Sequence, residues 1–479
     1  MAVRVVNKGE VRRGAANKET GARRVSAARR AAAEVLRRVE EEGAFAAVLL
    51  ASATGELRTD DRALCYELVL GVLRRQLWLD KLIEHFASRP AERLDAPVRR
   101  ALRLGLYQLR FLTRIPPSAA INESVNLAHA ARLRSAASFI NAVLRRATRE
   151  PDYDPATGAA TELERLALDT SHPVWLLERW IKFFGASEAE SFAHANNHTP
   201  PVAFRVNPLR PDREEVFERL SAAGVEVKSS PIAREAWRIE GTGGRTASPL
   251  LLRELAGEGA IYSQDEASQL IAGALDARAG ERVLDVCAAP GSKTTGIAAR
   301  AGDRAFVVAG DKYGHRLRTL RESAARQGLK NIQSIVYDAE AAPLPFAEGA
   351  FERVLVDAPC TGTGTLRHNP EIRWRITPAD ISELAARQCR ILANAARTVA
   401  AGGRLVYSTC SVEPEENEWV VSAFLKTHPA FKSIRPDVPE HLLTTDGAAR
   451  TWPQRDDTDG FYVAAFERQV GKRTNDEER

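Results

Sequence analysis

The chain is 479 residues long, 44% hydrophobic and 27% charged, with a formal charge of +5 at pH 7. At roughly 150 residues per domain, this length predicts about three domains with true cores, which excludes a small stapled scaffold. Its longest apolar stretches, such as 44–51 and 306–309, fall far short of the ~20 residues of a membrane span, and the basic N-terminus meets no apolar signal core; a soluble, cytoplasmic protein is expected.

Charge and sulfur are both unevenly informative. Residues 1–150 hold 28 Lys and Arg against 16 Asp and Glu, a net of +12, and the remainder holds 40 against 47, a net of −7. Such polarity suggests that the N-terminal part meets a polyanion, although Arg-rich helix faces can equally be solvated surface. The cysteines, Cys65, Cys287, Cys360, Cys389 and Cys410, are odd in number and form no Cys-x-x-Cys pair. That argues against a disulfide framework or a zinc ribbon and for reduced thiols.

In chain order, residues 1–25 are polar and rich in Arg and Lys without periodicity, which predicts a flexible basic arm. Over 26–150 the apolar residues recur at helical spacing: Ala28, Ala31, Val35, Val39; Leu64, Leu68, Val72; Leu102, Leu106, Leu109; Ile140, Val143, Leu144. An all-α domain is expected there, broken at Thr54-Gly55, Arg89-Pro90 and Ile115-Pro116-Pro117. Residues 151–255 open with Pro151, Asp152, Asp154, Pro155 and Gly158, a linker composition, and continue as a small α+β module. Its expected strands are 202–206, 225–227 and 237–239, with a helix over 213–223.

The last domain is expected over 256–468, with a charged, disordered tail at 469–479. Ser263-Gln264-Asp265-Glu266 has capping-box spacing ahead of a helical face carrying Ala267, Leu270, Ile271, Ala274 and Leu275. Short apolar strands then alternate with helices, at 282–286, 305–310, 332–337, 353–356 and 404–407. This order predicts an α/β, doubly wound, Rossmann-like sheet with ligands at the carboxyl ends of its strands.

Those strand ends carry the chemistry. The first runs through Asp285-Val286-Cys287 into the small-residue loop Ala288-Ala289-Pro290-Gly291-Ser292-Lys293, where backbone amides and a helix N-terminus can approach an anionic group. The second ends at Asp311, 26 residues after Asp285, the separation at which doubly wound folds place an acid on ribose hydroxyls. Asp338 closes the third, where a carboxylate can accept from an adenine amino group; either acid can alternatively cap the next helix. Asp357-Ala358-Pro359-Cys360 closes the fourth and Ser408-Thr409-Cys410-Ser411 the fifth, so two thiols face one crevice. Cys65 and Cys389 lie within helical patterns and read as small buried hydrophobes, and Cys287 as backbone-shaping. His194 and His198 stand four apart without a third ligand, and no metal is expected.

These runs resemble the RNA 5-methylcytidine methyltransferases that use S-adenosylmethionine. The resemblance spans about 263–466 and rests on Asp285-Val-Cys-Ala-Ala-Pro-Gly-Ser-Lys293, Asp357-Ala-Pro-Cys-Thr-Gly-Thr-Gly364, Tyr407-Ser-Thr-Cys-Ser411 with Glu415-Glu-Asn-Glu418, and Asp459-Gly-Phe-Tyr462. One departure is Ser292, where the family usually has Gly. Residues 26–149 resemble the helical RNA-binding domain of the antitermination factor NusB, notably at 99–112 and Phe139-Ile-Asn-Ala-Val-Leu-Arg-Arg146. A NusB-like domain ahead of this catalytic domain is the arrangement of the RsmB (Sun/Fmu) family of bacterial small-subunit ribosomal RNA cytosine-5 methyltransferases.

The resemblance implies roles. Cys410 would attack carbon 6 of cytosine, Cys360 would assist product release, and Asp357 would hydrogen-bond the base near ring nitrogen 3. S-adenosylmethionine would lie along Cys287, Ala288, Ala289, Pro290, Gly291, Ser292 and Lys293, with Asp311 on its ribose, Asp338 near its adenine, and Arg316 and Asp357 as further contacts. Lys293 can serve a thiol, the cofactor or the substrate, and the sequence does not choose. The partner implied is 16S ribosomal RNA, met by a monomer. Arg367, His368, Arg373 and Trp374 either line the RNA path or form a surface loop with a packed Trp. Rival readings are the same chemistry on transfer RNA, an amino-group methyltransferase, and an inactive assembly factor. Cys360 stands where the amino-group enzymes usually carry an aromatic residue, and retention of both thiols counts against inactivity.

Overall fold

The computed structural model describes residues 25–210, 213–240 and 248–470; the expected basic arm, apart from Val25, and the tail beyond 470 lie outside the described residues. The N-terminal domain is helical, with α1 (Ala27–Glu41), α2 (Ala46–Ala53), α3 (Thr59–Arg74), α4 (Gln76–Ala87), α5 (Ala96–Phe111), α6 (Pro117–Ala130) and α7 (Ala136–Arg149). Pro97 and Pro117 sit in the first turns of α5 and α6, where a missing N–H costs nothing. The face of α1 formed by Ala28, Ala32, Val35, Leu36 and Val39 packs in one core with Leu68 and Val72 of α3 and Leu102 and Leu106 of α5. Part of the basic excess is spent inside this domain. Arg100 and Arg103 of α5 are buried and pair with Glu40 and Asp80, each at 2.7 Å.

Helices α8 (Glu162–Thr170), α9 (Val174–Phe184) and α10 (Ala186–Ala195) lead into the middle module. There β1 (Ala203–Val206), α11 (Arg213–Ala222), β2 (Glu226–Ser229), β3 (Ala236–Glu240), α12 (Ser248–Gly257) and β4 (Ile261–Ser263) build an antiparallel sheet of order β2-β3-β1-β4. Ser263 is the end of β4, opposite Phe204, so the expected capping box does not form. Asp265 caps α13 (Glu266–Leu275) instead, accepting from the Ala267 N–H at 2.9 Å.

The C-terminal domain continues with β5 (Arg282–Asp285), α14 (Ser292–Arg300), β6 (Phe306–Asp311), α15 (Gly314–Gln327), β7 (Ile332–Val336), β8 (Phe351–Asp357), α16 (Ile372–Arg375), α17 (Pro378–Ala396), β9 (Val399–Thr409), α18 (Glu418–Thr427), β10 (Phe431–Ile434), β11 (Ala449–Arg450), α19 (Pro453–Asp456) and β12 (Tyr462–Arg468). The sheet order is β10-β12-β9-β8-β5-β6-β7, with β11 on β12. Strands β5 to β9 pair in parallel, as the alternation predicts, while β12 and β10 form an antiparallel edge. Both faces are covered, which is why the central strands are continuously apolar. Leu284, Val354 and Val356 pack with Ile391 and Leu392 of α17, and Val283, Leu355 and Val406 with Ile271 of α13 and Ile297 of α14. The chain runs outward through β6 and β7 and returns to β8 on the other side of β5. That reversal opens a crevice above the ends of β5 and β8.

The loop after Cys360 binds the domains together. Arg373, fully buried, donates to the carbonyls of Thr170 (3.3 Å) and Ser171 (3.2 Å) and to Asn197 Oδ1 (3.0 Å), and Trp374 Nε1 donates to the Leu73 carbonyl at 3.3 Å. Arg367, also buried, donates to Asp457 at 2.8 Å, and His368 pairs with Asp459 at 3.0 Å. Arg373 and Trp374 are therefore struts between domains rather than an exposed RNA-facing loop, because their polar atoms close carbonyls that water cannot reach.

Candidate active site

Asp285 ends β5 and the chain must turn sharply to start α14. Gly291 takes φ +107°, and a Cβ there would lie 2.6 Å from Leu320 Cγ, so both conformation and space require glycine. Ser292 is already the first residue of α14 and has no positive φ, so the departure from the family pattern falls outside the strained position. Thr294 Oγ1 donates to Asp285 at 2.7 Å. Burial, opposed by that hydrogen bond and reinforced by the charge of Asp357, pushes the Asp285 carboxyl up to about 7.

This shift has a sign that can be tested. A carboxyl that holds its proton more tightly when folded contributes stability that is fully present below about pH 4 and is lost as pH rises through about 7. In Asp285→Asn that dependence is absent, so the urea midpoint of the variant should gain on the wild type between about pH 5 and pH 8. A constant difference across that range, followed by near-ultraviolet circular dichroism, would contradict the buried-carboxyl assignment.

Two cavities meet at the strand ends. The first, about 230 Å³, is lined by Cys287, Ala289, Asp311, Arg316, Asp338 and Asp357 along with Val286, Ala339 and Ile391. Asp311 accepts from the Tyr313 N–H at 2.8 Å and lies 3.3 Å from Arg316, which also braces the loop by donating to the Ala289 carbonyl at 2.9 Å. Asp338 pairs with Lys312 at 2.7 Å. Carboxylates on adjacent strand ends beside apolar walls suit the hydroxyls and flat base of a nucleoside. Ala288, Pro290 and Gly291 shape the turn without lining this cavity; the Ala288 N–H donates to the Gly310 carbonyl at 2.7 Å.

The second cavity, about 410 Å³, lies on the other side and takes in Ser292 and Lys293, which the sequence groups with the cofactor loop. Cys360 and Cys410 line both cavities, and their sulfurs are 3.4 Å apart. Lys293 Nζ sits 2.9 Å from Asp357 Oδ2, so this ion pair spans the wall between the cavities, while Ser408 Oγ donates to Asp357 Oδ1 at 2.8 Å. Burial works against the Lys293 ammonium, but the charges of Asp357 and then Cys410 outweigh it and raise its pKa. The Cys360 thiol is held up by its hydrogen bond with Cys410, and then by burial. Both effects favour the protonated form of Cys360, and the two sulfurs lie within hydrogen-bonding distance of each other. The other thiols are inert by placement: burial raises Cys287 and Cys389 and pushes Cys65 up to about 11.

Glu416 belongs to the run Glu415-Glu-Asn-Glu418, whose spacing alone assigns it no role. The structure makes it the hub of both thiol loops. Its buried carboxylate accepts from the Thr361 N–H (2.9 Å), Thr361 Oγ1 (2.5 Å), Ser411 Oγ (2.5 Å) and Gln388 Nε2 (2.9 Å). The loops also touch through backbone alone. The Gly364 N–H donates to the Cys410 carbonyl at 2.9 Å, and a Cβ on Gly364 would lie 2.0 Å from the Gly460 carbonyl oxygen.

Fold and crevice define a doubly wound methyltransferase that draws its methyl group from S-adenosylmethionine, with a helical domain and a small sheet module in front of it. Family models match in the same order: "NusB family" over residues 26–149, "Methyltr_RsmF/B-like, ferredoxin-like domain" over 172–244, and "16S rRNA methyltransferase RsmB/F" over 272–467. The chain is 36% identical to the probable ribosomal RNA small subunit methyltransferase B of Bacillus subtilis, over 91% of this chain and 97% of that protein. It is also 36% identical to the probable protein of that name from Synechocystis, over 91% and 98%. The crystal structure of PH0851, 31% identical, superposes with a TM-score of 0.79 over 92% of this chain and 98% of that one. The chain belongs to the ribosomal RNA small subunit methyltransferase B family. Among the described residues no helix is long and apolar enough to cross a membrane.

Proposed function

We propose that this enzyme methylates carbon 5 of a cytidine in small-subunit ribosomal RNA through a covalent adduct with Cys410. The observation that carries the reading is the pair of thiols 3.4 Å apart on the wall shared by the two cavities, beside the Lys293–Asp357 pair. Bound S-adenosylmethionine supplies an electrophilic methyl on a sulfonium. Its holders would be Cys287 and Ala289 of the turn with Asp311, Arg316, Asp338 and Asp357, which line the first cavity, while Ala288, Pro290 and Gly291 shape that turn.

Carbon 5 of cytosine is too electron-poor to attack unaided. Addition of the Cys410 thiolate to carbon 6 makes the ring enamine-like, and the displaced electron pair collects toward ring nitrogen 3. Asp357, taking a proton from Lys293 beside it, would donate that proton toward ring nitrogen 3 and relieve the charge, and the proton would return to Lys293 when the aromatic ring is restored. Carbon 5 then takes the methyl group. Water in the open cavity takes the carbon-5 proton, the carbon–hydrogen electron pair re-forms the 5,6 double bond, and the carbon 6–sulfur bond breaks to expel Cys410 as thiolate, with Cys360 placed to assist the release. The names of the relatives support a ribosomal substrate, and the reading takes the enzyme to act as a monomer in the cytoplasm.

The test is direct. The protein is incubated with S-adenosylmethionine and, separately, with protein-free small-subunit ribosomal RNA, assembled small subunits and bulk transfer RNA, and the nucleosides are then analysed by mass spectrometry. New 5-methylcytidine in ribosomal RNA alone is expected. A methyl group on another atom would overturn the carbon-5 assignment, and 5-methylcytidine confined to transfer RNA would overturn the substrate.

A further inference from the structure

The helical domain reaches into the second cavity. Phe45, the residue before α2, lines it with Cys360 and Cys410 and remains 48% exposed. An exposed phenylalanine on a mobile loop would carry no meaning, but this one is clamped. The next residue, Ala46, donates its N–H to the buried carboxylate of Glu371 at 2.7 Å. Arg375 donates to the carbonyls of Val39 (2.8 Å), Gly43 (2.8 Å) and Ala44 (2.7 Å), and its guanidinium lies 5.7 Å from the Phe45 ring centre. Both clamping residues belong to the loop and short helix α16 that follow Cys360. The backbone that carries this apolar ring is therefore anchored, and the ring lies half open at the rim of the cavity that contains the two thiols.

Resting on the function proposed above, we propose that Phe45 is a stacking platform for the unpaired nucleobase next to the target in the RNA strand, so that the helical domain completes the substrate pocket. A base presented to Cys410 must leave its stack, and its neighbour loses a stacking partner at the same moment. An aromatic face on an anchored backbone offsets that loss at a reduced entropic cost, because the main chain that carries the ring is already held in place. Two further rings, Tyr262 of the middle sheet and Phe461 of the catalytic domain, line the same cavity, so all three domains contribute an aromatic side chain to it.

The test is a cycle between protein and RNA. Full-length wild type, Phe45→Ala and Phe45→Trp are titrated, by fluorescence anisotropy, with a short single-stranded RNA carrying one central cytidine and with forms made abasic on either side of it. Phe45→Ala should weaken binding by about 5- to 100-fold, and Phe45→Trp should not. An abasic site at one flank should weaken the wild type by a similar factor and add nothing to Phe45→Ala. Wild-type affinity in Phe45→Ala, or penalties that multiply, would overturn the proposal. Melting curves and S-adenosylmethionine affinity matching the wild type separate a lost platform from a disturbed fold. The cycle reads binding alone, so failure to form 5-methylcytidine would refute the methylation reading without deciding the role of Phe45.

Discussion

Cys360→Ala is expected to stall the enzyme as a protein–RNA adduct that survives denaturant, whereas Cys410→Ala should form no adduct and lose methyl transfer by about 10⁴-fold or more. The asymmetry follows from the surroundings of two sulfurs only 3.4 Å apart. Cys360 is half-buried and hydrogen-bonded to its neighbour, and both effects favour its protonated form, which suits a proton-handling helper. Cys410 follows β9 and lines the second cavity together with Lys293. Removing the helper leaves addition and methylation intact but slows the elimination that frees the product. Incubation with S-adenosylmethionine and ribosomal RNA followed by denaturing electrophoresis reads the adduct. An adduct that persists in the Cys360→Ala, Cys410→Ala double variant, or one that appears in Cys410→Ala alone, would exchange the two roles or remove them.

The second large effect is expected at Glu416. Glu416→Ala strips an acceptor from Thr361, Ser411 and Gln388 at once, inside a region water does not enter. Leaving such donors unpaired costs about 3–5 kcal/mol, and the loops that carry Cys360 and Cys410 lose their common anchor. We expect a lower melting temperature of the catalytic domain and a fall in adduct formation of about 10²-fold, with S-adenosylmethionine affinity nearly unchanged, since Glu416 does not line the first cavity. Glu416→Gln should lie between wild type and Glu416→Ala because one oxygen still accepts. Wild-type adduct rates in Glu416→Ala would show that the thiols are positioned by the strands and the Gly364 backbone contact alone.

Much of the catalytic domain was legible because the relevant signals are local. Alternating apolar runs and breakers marked β5 to β9, and acids and thiols at their ends marked the crevice, since in a doubly wound sheet the carboxyl ends must face one side. The helical domain was legible as a periodic apolar face, but its charge was not. Arg100 and Arg103 count toward a basic surface in the sequence and are buried against Glu40 and Asp80 in the structure. Arg373 is a similar case, because a guanidinium written into a loop gives no sign of the carbonyls at Thr170 and Ser171 that it will close.

The sequence by itself determined the order of the domains, the direction of the parallel strands and the set of groups available for chemistry, since periodicity, turn residues and strand-end positions act over a few residues. Only the tertiary structure decided that Ser263 completes a strand in the middle sheet rather than a capping box, that Lys293 faces the second cavity while pairing with Asp357, and that Glu416 ties both thiol loops. It alone brought Phe45 to the thiols, through a hydrogen bond joining Ala46 to Glu371 across 325 residues. Contacts of that separation depend on how whole domains close on one another, and no local spacing encodes them.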